Sequence, residues 1–224
     1  NQYAGRLKEV YDAGSNSTVE YPEVYPYASP IRANNLSSQL KLIARLIKGG
    51  IKTKIFLCRI GGFDTHGEQV DEHDPSLGLH AALLHNLSGA VKAFYDDLNQ
   101  LAIDERVLSL TFTEFGRRAK SNDSYGTDHG TATPVFVFGT QLNNGIYGVN
   151  PGLAPEDLHN YNLVYNIDYR QIYTDFESLD PGLKVQLSAF VPCFLIHAGP
   201  HGNSNGEAHA NTYSHKAHIP EGGS

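Results

Sequence analysis

Leu36, Leu40, Ile43 and Ile47 recur at spacings of four, three and four, which places them on one stripe of a helix starting at Asn35 or Ser37. Gly49 and Gly50 stop that helix. Residues 54–60 (KIFLCRI) follow as a nearly continuous apolar run rich in β-formers, the pattern of a strand covered on both faces. The longest periodic element spans residues 77–102. Leu79, Leu83, Leu87, Val91, Phe94, Leu98 and Leu101 lie on one side of it, with Lys92, Asp96 and Asp97 off that side. A second apolar strand covers 107–112, a polar Gly-rich loop covers 116–130, and VFVF at 135–138 reads as a third strand. A short helix is expected over 168–176. Helix, strand, helix, strand, loop, strand is the order that builds a parallel or mixed sheet with helices on its faces, so the expected class is α/β.

The flanks differ from this middle. Residues 1–34 are rich in Tyr, Pro, Asn and Ser and read as irregular chain wrapped on a surface, which leaves 35–198 as the α/β domain. Residues 199–224 read as a weakly ordered polar tail, and its histidines read as solvated side chains. No internal repeat is present. At 224 residues the chain can bury roughly 70% of its unfolded surface and needs no staples. Its net charge of −7 and pI near 5.8, with no basic block, disfavour nucleic acid and polybasic membrane contact. No apolar stretch approaches a membrane span, and no signal peptide opens the chain. Met is absent even at position 1, which reads as a processed piece of a longer protein. Cys58 and Cys193 sit in apolar runs without zinc-knuckle or redox spacing and read as buried thiols.

Three polar clusters border the expected strands, where an open α/β sheet binds ligands. After strand 54–60 comes GGFDTHGEQ. In an extended segment Asp64 and His66 point to one side and can converge on a cation, while Thr65 to Glu68 equally fits a capping box for a following helix. After strand 107–112 comes TEFGRR, in which Glu114 beside a Gly turn and paired arginines is a metal or anion station or a rim salt bridge. Before strand 135–138 comes GTDHG, where Asp128 and His129 form a cation pair or a turn in which Asp128 caps local amides. Carboxylate and imidazole without thiolate suits zinc or manganese, and the oxygen share leaves magnesium and calcium open. Arg117 or Arg118 would hold an anionic substrate group by a bidentate fork, the other facing solvent.

GGFDTHGEQ, TFTEFGRR, SYGTDHGTATPVFVFG and IDYRQIY together resemble the signature blocks of a bacterial family, domain of unknown function 1501, over about residues 20 to 176. The resemblance implies the alkaline-phosphatase-like superfamily: a three-layer sandwich with a mostly parallel central sheet and one or two divalent metals at its carboxyl ends. By that resemblance Asp64 and His66 match the Asp and His of the first metal site, although relatives usually space them four apart. His129 matches the lone histidine that completes it before a Pro-Val strand, here Pro134-Val135. Glu114 to Gly116 then stands where relatives carry Asp-His-Gly for the second metal, with Phe115 in place of an imidazole. In the competing register Asp128-His129-Gly130 is that pair and Glu114 a separate ligand. The first is preferred because strand 107–112 ends on Glu114.

The resemblance places the superfamily's phosphate-accepting Ser or Thr upstream of every matched block, so either this is the carboxyl-terminal part of a longer protein or the active centre is incomplete. Thr127 and Thr65 are the nearby hydroxyls that could substitute as nucleophile. The resemblance also implies an export signal and a periplasmic or secreted location. Two functions are carried forward. One is a metal-dependent hydrolase-like domain acting on anionic phosphate, sulfate or glycan esters, with metal on Asp64, His66 and His129, Glu114 and Asp128 ligating or orienting, and Arg117 on the anion. The other is a non-catalytic metal-containing binding or scaffold domain. A purely structural Asp-His cluster would bind no ion.

Overall fold

A computed structural model describes residues 2–27, 29–172 and 193–198. The helix expected from Asn35 is α2 (Asn35–Lys48), with Leu36, Leu40, Ile43 and Ile47 all buried. The long periodic element is α3 (Leu79–Gln100). The strands are β1 (Ile55–Arg59), β2 (Val107–Phe112), β3 (Gly116–Ser121), β4 (Thr127–Gly130), β5 (Val137–Phe138) and β6 (Cys193–Ala198). Residues 169–172 are helical, and the remainder of the helix expected over 168–176 lies outside the described residues, as does the tail 199–224.

The segment read as irregular holds a helix, α1 (Gln2–Ala13), before extended chain begins. It packs on α2 at two close approaches. A Cβ on Gly14 would lie 2.0 Å from the Arg45 carbonyl oxygen, and one on Gly49 would lie 1.9 Å from that of Val10. Beyond α1, Tyr21 and Tyr25 are buried, so the Tyr-rich stretch is anchored by its rings.

The sheet overturns the expected three-layer sandwich with a mostly parallel sheet. Four strands run in the order β1-β6-β2-β5, and every pairing is antiparallel; β3 and β4 form a separate antiparallel hairpin. A strand–helix–strand order fixes the relative direction of β1 and β2, and both do run opposite to β6 and therefore the same way. It does not fix adjacency, and here β6 fills the gap between them. The apolar pattern of CFLIHA gives no strand direction, so this insertion left no sequence signal.

Helices α2 and α3 cover one face of the sheet, enclosing Leu40, Ile47, Phe94 and Leu98 with Cys58, Val107 and Ile196. Each such buried aliphatic or aromatic side chain contributes roughly 1.5–3 kcal/mol. The other face is open at β1, where Leu57 is 59% exposed, so the expectation of a strand covered on both sides fails there. Asp97, expected off the apolar side of α3, is 2% exposed in the core and accepts a 2.7 Å hydrogen bond from the Tyr21 hydroxyl. Ser109, fully buried in β2, shares the Tyr95 hydroxyl, which also donates to the Phe138 carbonyl at 2.7 Å and ties β5 to the helix layer.

One consequence of the strand order positions the site. Arg59 and Phe112, the last residues of β1 and β2, both stand opposite Cys193. With strands about 4.8 Å apart, the two chains leave the same edge of the sheet about 10 Å from each other.

Candidate metal centre

The loop leaving β1 carries Asp64 and His66, and the hairpin following β2 carries Arg117 on β3 with Asp128 and His129 on β4. Backbone bonds clamp the loop between α3 and the hairpin tip. The first amides of α3, which have no partner within the helix, donate from Leu79 to the Glu68 carbonyl at 3.0 Å and from His80 to that of Gln69 at 3.1 Å. From the tip, the Ser124 carbonyl accepts the Glu68 amide at 3.0 Å, and Asn122 Nδ2 donates to the His66 carbonyl at 2.8 Å. Asn122 Oδ1 meanwhile closes the turn on the amides of Ser124 and Gly126, both at 3.0 Å. No helix follows Glu68, so the capping-box alternative does not hold; Thr65 is buried and its hydroxyl donates to Gln69 Oε1 at 2.9 Å.

Gly126 is where the two segments meet. A Cβ there would stand 2.2 Å from the His66 carbonyl oxygen. Gly126→Ala is therefore expected to push the loop off the hairpin and destabilise by about 1–3 kcal/mol, lowering Tm by about 2–4 °C per kcal/mol. Gly61→Ala, where a Cβ meets nothing within 4 Å, is the matched control in thermal unfolding.

The clamp brings Asp64, His66 and His129 together, their ligand atoms all lying within 4.8 Å of one another. Asp64 Oδ1 is the hub, 2.8 Å from His129 Nε2 and 3.1 Å from His66 Nε2. The second nitrogen of His66, Nδ1, faces Asp128 Oδ1 at 3.4 Å, so a carboxylate outside the triad orients a ring within it. His129 is fixed differently: Phe115 stacks on it at 3.9 Å between centroids and 9° between planes. Phe115 is thus the platform for an imidazole. All three members of the triad are exposed, and the cluster opens to solvent.

Arg117 faces inward. Its guanidinium donates to the Thr127 carbonyl at 2.7 Å and to the Phe63 carbonyl at 2.5 Å, and approaches Asp64 Oδ1 at 3.3 Å. It thereby positions Asp64 and joins loop to strand. The Thr127 hydroxyl donates to Gln69 Oε1 at 2.8 Å, the acceptor that Thr65 also uses. Glu114 is exposed, takes a 3.3 Å contact from Thr113 Oγ1, and stands outside the triad. The hydrogen bond from His129 is the largest influence holding the Asp64 carboxyl below its ordinary 3.8, with His66 and Arg117 adding to it. His80, near Phe63, is half-buried, and burial pushes its imidazole below the usual 6.5, with Arg117 acting in the same direction. Sequence reading passed over Gln69 and Asn122, whose contacts span 58 and 56 residues of chain, and His80, whose neighbours Phe63 and Arg117 are also distant in the chain; none has a local signature.

Residues 23–184 match the model of a family described as "Protein of unknown function (DUF1501)". The chain belongs to this family. None of the curated proteins and none of the solved structures matches it. Within this DUF1501 chain, the matched stretch takes in both segments that build the triad. No helix among the described residues is long and apolar enough to cross a membrane.

Proposed function

We propose that the chain holds a divalent metal ion on Asp64, His66 and His129 and hydrolyses phosphate or sulfate esters there. The observation that carries this reading is the convergence of one carboxylate oxygen and two imidazole nitrogens, from a loop and a hairpin strand about 65 residues apart, on a solvent-open point. The donor set fits an ion. Two nitrogens in three suit zinc or manganese better than magnesium or calcium, and the Asp128 contact leaves His66 Nε2 turned to the shared point. The wider resemblance to alkaline-phosphatase-like hydrolases enters through these residues alone, since the sheet does not have the parallel form.

When bound, the metal would supply Lewis acidity toward the ester oxygens and lower the pKa of an attacking oxygen. Asp64 offers a carboxylate kept ionised by His129 and Arg117. Asp128 and Phe115 hold the two rings at fixed angles, and Arg117 holds Asp64. Both Thr65 and Thr127 direct their hydroxyls to Gln69, which argues against either as the nucleophile. The same engagement of Thr127, with the inward turn of Arg117, favours the second reading, a metal-containing binding or scaffold domain.

Metal analysis with activity assays separates the readings. The wild-type chain is expected to retain about one zinc or manganese, to turn over an aryl phosphate or aryl sulfate, and to lose both in the His66→Ala/His129→Ala double variant. At a hundredfold excess over Kd the ion should add about 2.7 kcal/mol, a rise of about 5–11 °C in Tm that a chelator reverses. Metal retention without turnover supports the scaffold reading. Equal metal content in wild type and double variant removes both.

A further inference from the structure

A cavity of about 450 Å³ opens at the amino end of α2, beside the segment that leads from β1 to Asp64. Its volume lies in the range of small-molecule sites, roughly 300–1,000 Å³. Two amides line it, and one of them holds a buried oxygen without a partner. Asn86 is 3% exposed, and its side-chain amide has no partner among the described residues, although its carbonyl accepts Asn34 Nδ2 at 2.8 Å. Asn34 is 5% exposed and its Oδ1 has no partner. A buried acceptor left unpaired is costly, so a molecule that donates to Asn34 Oδ1 is favoured.

The rest of the lining adds sign and shape. Asn34 stands at the N-cap of α2 but makes no capping hydrogen bond, so the first-turn amides of a 14-residue helix lack a side-chain acceptor. Among the described residues Arg59 is the one charged side chain lining the cavity, with no carboxylate beside it. Its backbone is held by Gln39 through bonds of 3.0 and 2.9 Å, while its guanidinium has no ion pair among the described residues. Leu36 and Leu83 supply an apolar wall.

We infer that this cavity binds an anionic sugar, a monosaccharide unit carrying a carboxylate or a sulfate. The charged group faces Arg59 and the α2 amino terminus, the hydroxyls pair with the amides of Asn34 and Asn86, and the ring carbons pack on Leu36 and Leu83. Amides suit hydroxyls because each offers donors and an acceptor. The site stands independently of any metal at Asp64, His66 and His129, since it uses none of those residues.

Isothermal titration of the full chain with glucuronate, glucose 6-sulfate, glucose and inorganic sulfate tests this. One or both anionic sugars should bind saturably at one site, with glucose and inorganic sulfate at least tenfold weaker. Arg59→Gln removes the charge from an exposed position. Asn35→Asp places a carboxylate in the first turn of α2, where it favours the helix and repels the anion, so a loss of binding there does not come from unfolding. Each variant should weaken the anionic sugar at least tenfold with Tm unchanged or raised. Failure of both anionic sugars to bind the wild type, unchanged affinity in both variants, or inorganic sulfate matching glucose 6-sulfate would overturn the inference.

Discussion

Asp64→Asn is expected to lower zinc or manganese affinity by more than the roughly 10–100-fold that removing an outer partner of a ligand costs. The substitution keeps the side chain's shape and removes the charge at the hub. Both histidines and Arg117 converge on the one oxygen, Asp64 Oδ1. Without metal the cost should be small, under about 1 kcal/mol, because the carboxylate is 58% exposed and its partners are screened by water. The sign with pH follows from the depressed carboxyl. Its stabilising contribution is complete above the ordinary value of 3.8 and is lost as pH falls through its lower folded value, so metal-free Asp64→Asn should show a shallower acid unfolding slope. Metal affinity should fall as pH falls, because the ligands bind only when deprotonated. A titration of metal affinity against pH in wild type and variant checks both statements; unchanged affinity in Asp64→Asn would take Asp64 out of the site.

The triad was legible in the sequence because its signals are local. Asp64 and His66 follow one apolar run, His129 precedes another, and the exits of β1 and β2 do fall on one sheet edge. What the chain pattern could not carry was the strand between them. An apolar run reports burial and strand formation, whereas its direction and neighbours depend on where distant segments return. The inward bonds of Arg117 were illegible for a related reason: its acceptors, the carbonyls of Phe63 and Thr127, are backbone atoms that any sequence offers. Phe115 looked like a lost ligand by comparison with relatives, and its place on the His129 ring gives it a positioning role instead. Asp97 was misplaced by periodicity alone, because its partner Tyr21 lies 76 residues away in a segment read as irregular.

That misplaced pair carries a large stability effect. Tyr21→Phe should destabilise by about 3 kcal/mol, a fall in Tm of about 6–12 °C, because it leaves a buried carboxyl with no partner for either oxygen. Asp97 Oδ1 already has none, and Oδ2 has the Tyr21 hydroxyl. If the loss came instead from packing, the double variant Tyr21→Phe/Asp97→Leu would be worse than either single change. If it comes from the stranded polar group, the double variant should recover to within about 1 kcal/mol of wild type, since an apolar pair of similar shape has nothing to satisfy. Alkaline pH gives an independent measurement. Burial, then the hydrogen bond to Asp97, raises the Tyr21 hydroxyl far above its ordinary 10.0, so this group stabilises the fold fully below pH 10 and progressively less as pH rises beyond it. Wild type should therefore lose stability above pH 10 more steeply than Tyr21→Phe, and parallel alkaline unfolding curves for the two chains would show that the Tyr21 hydroxyl is not held in this bond.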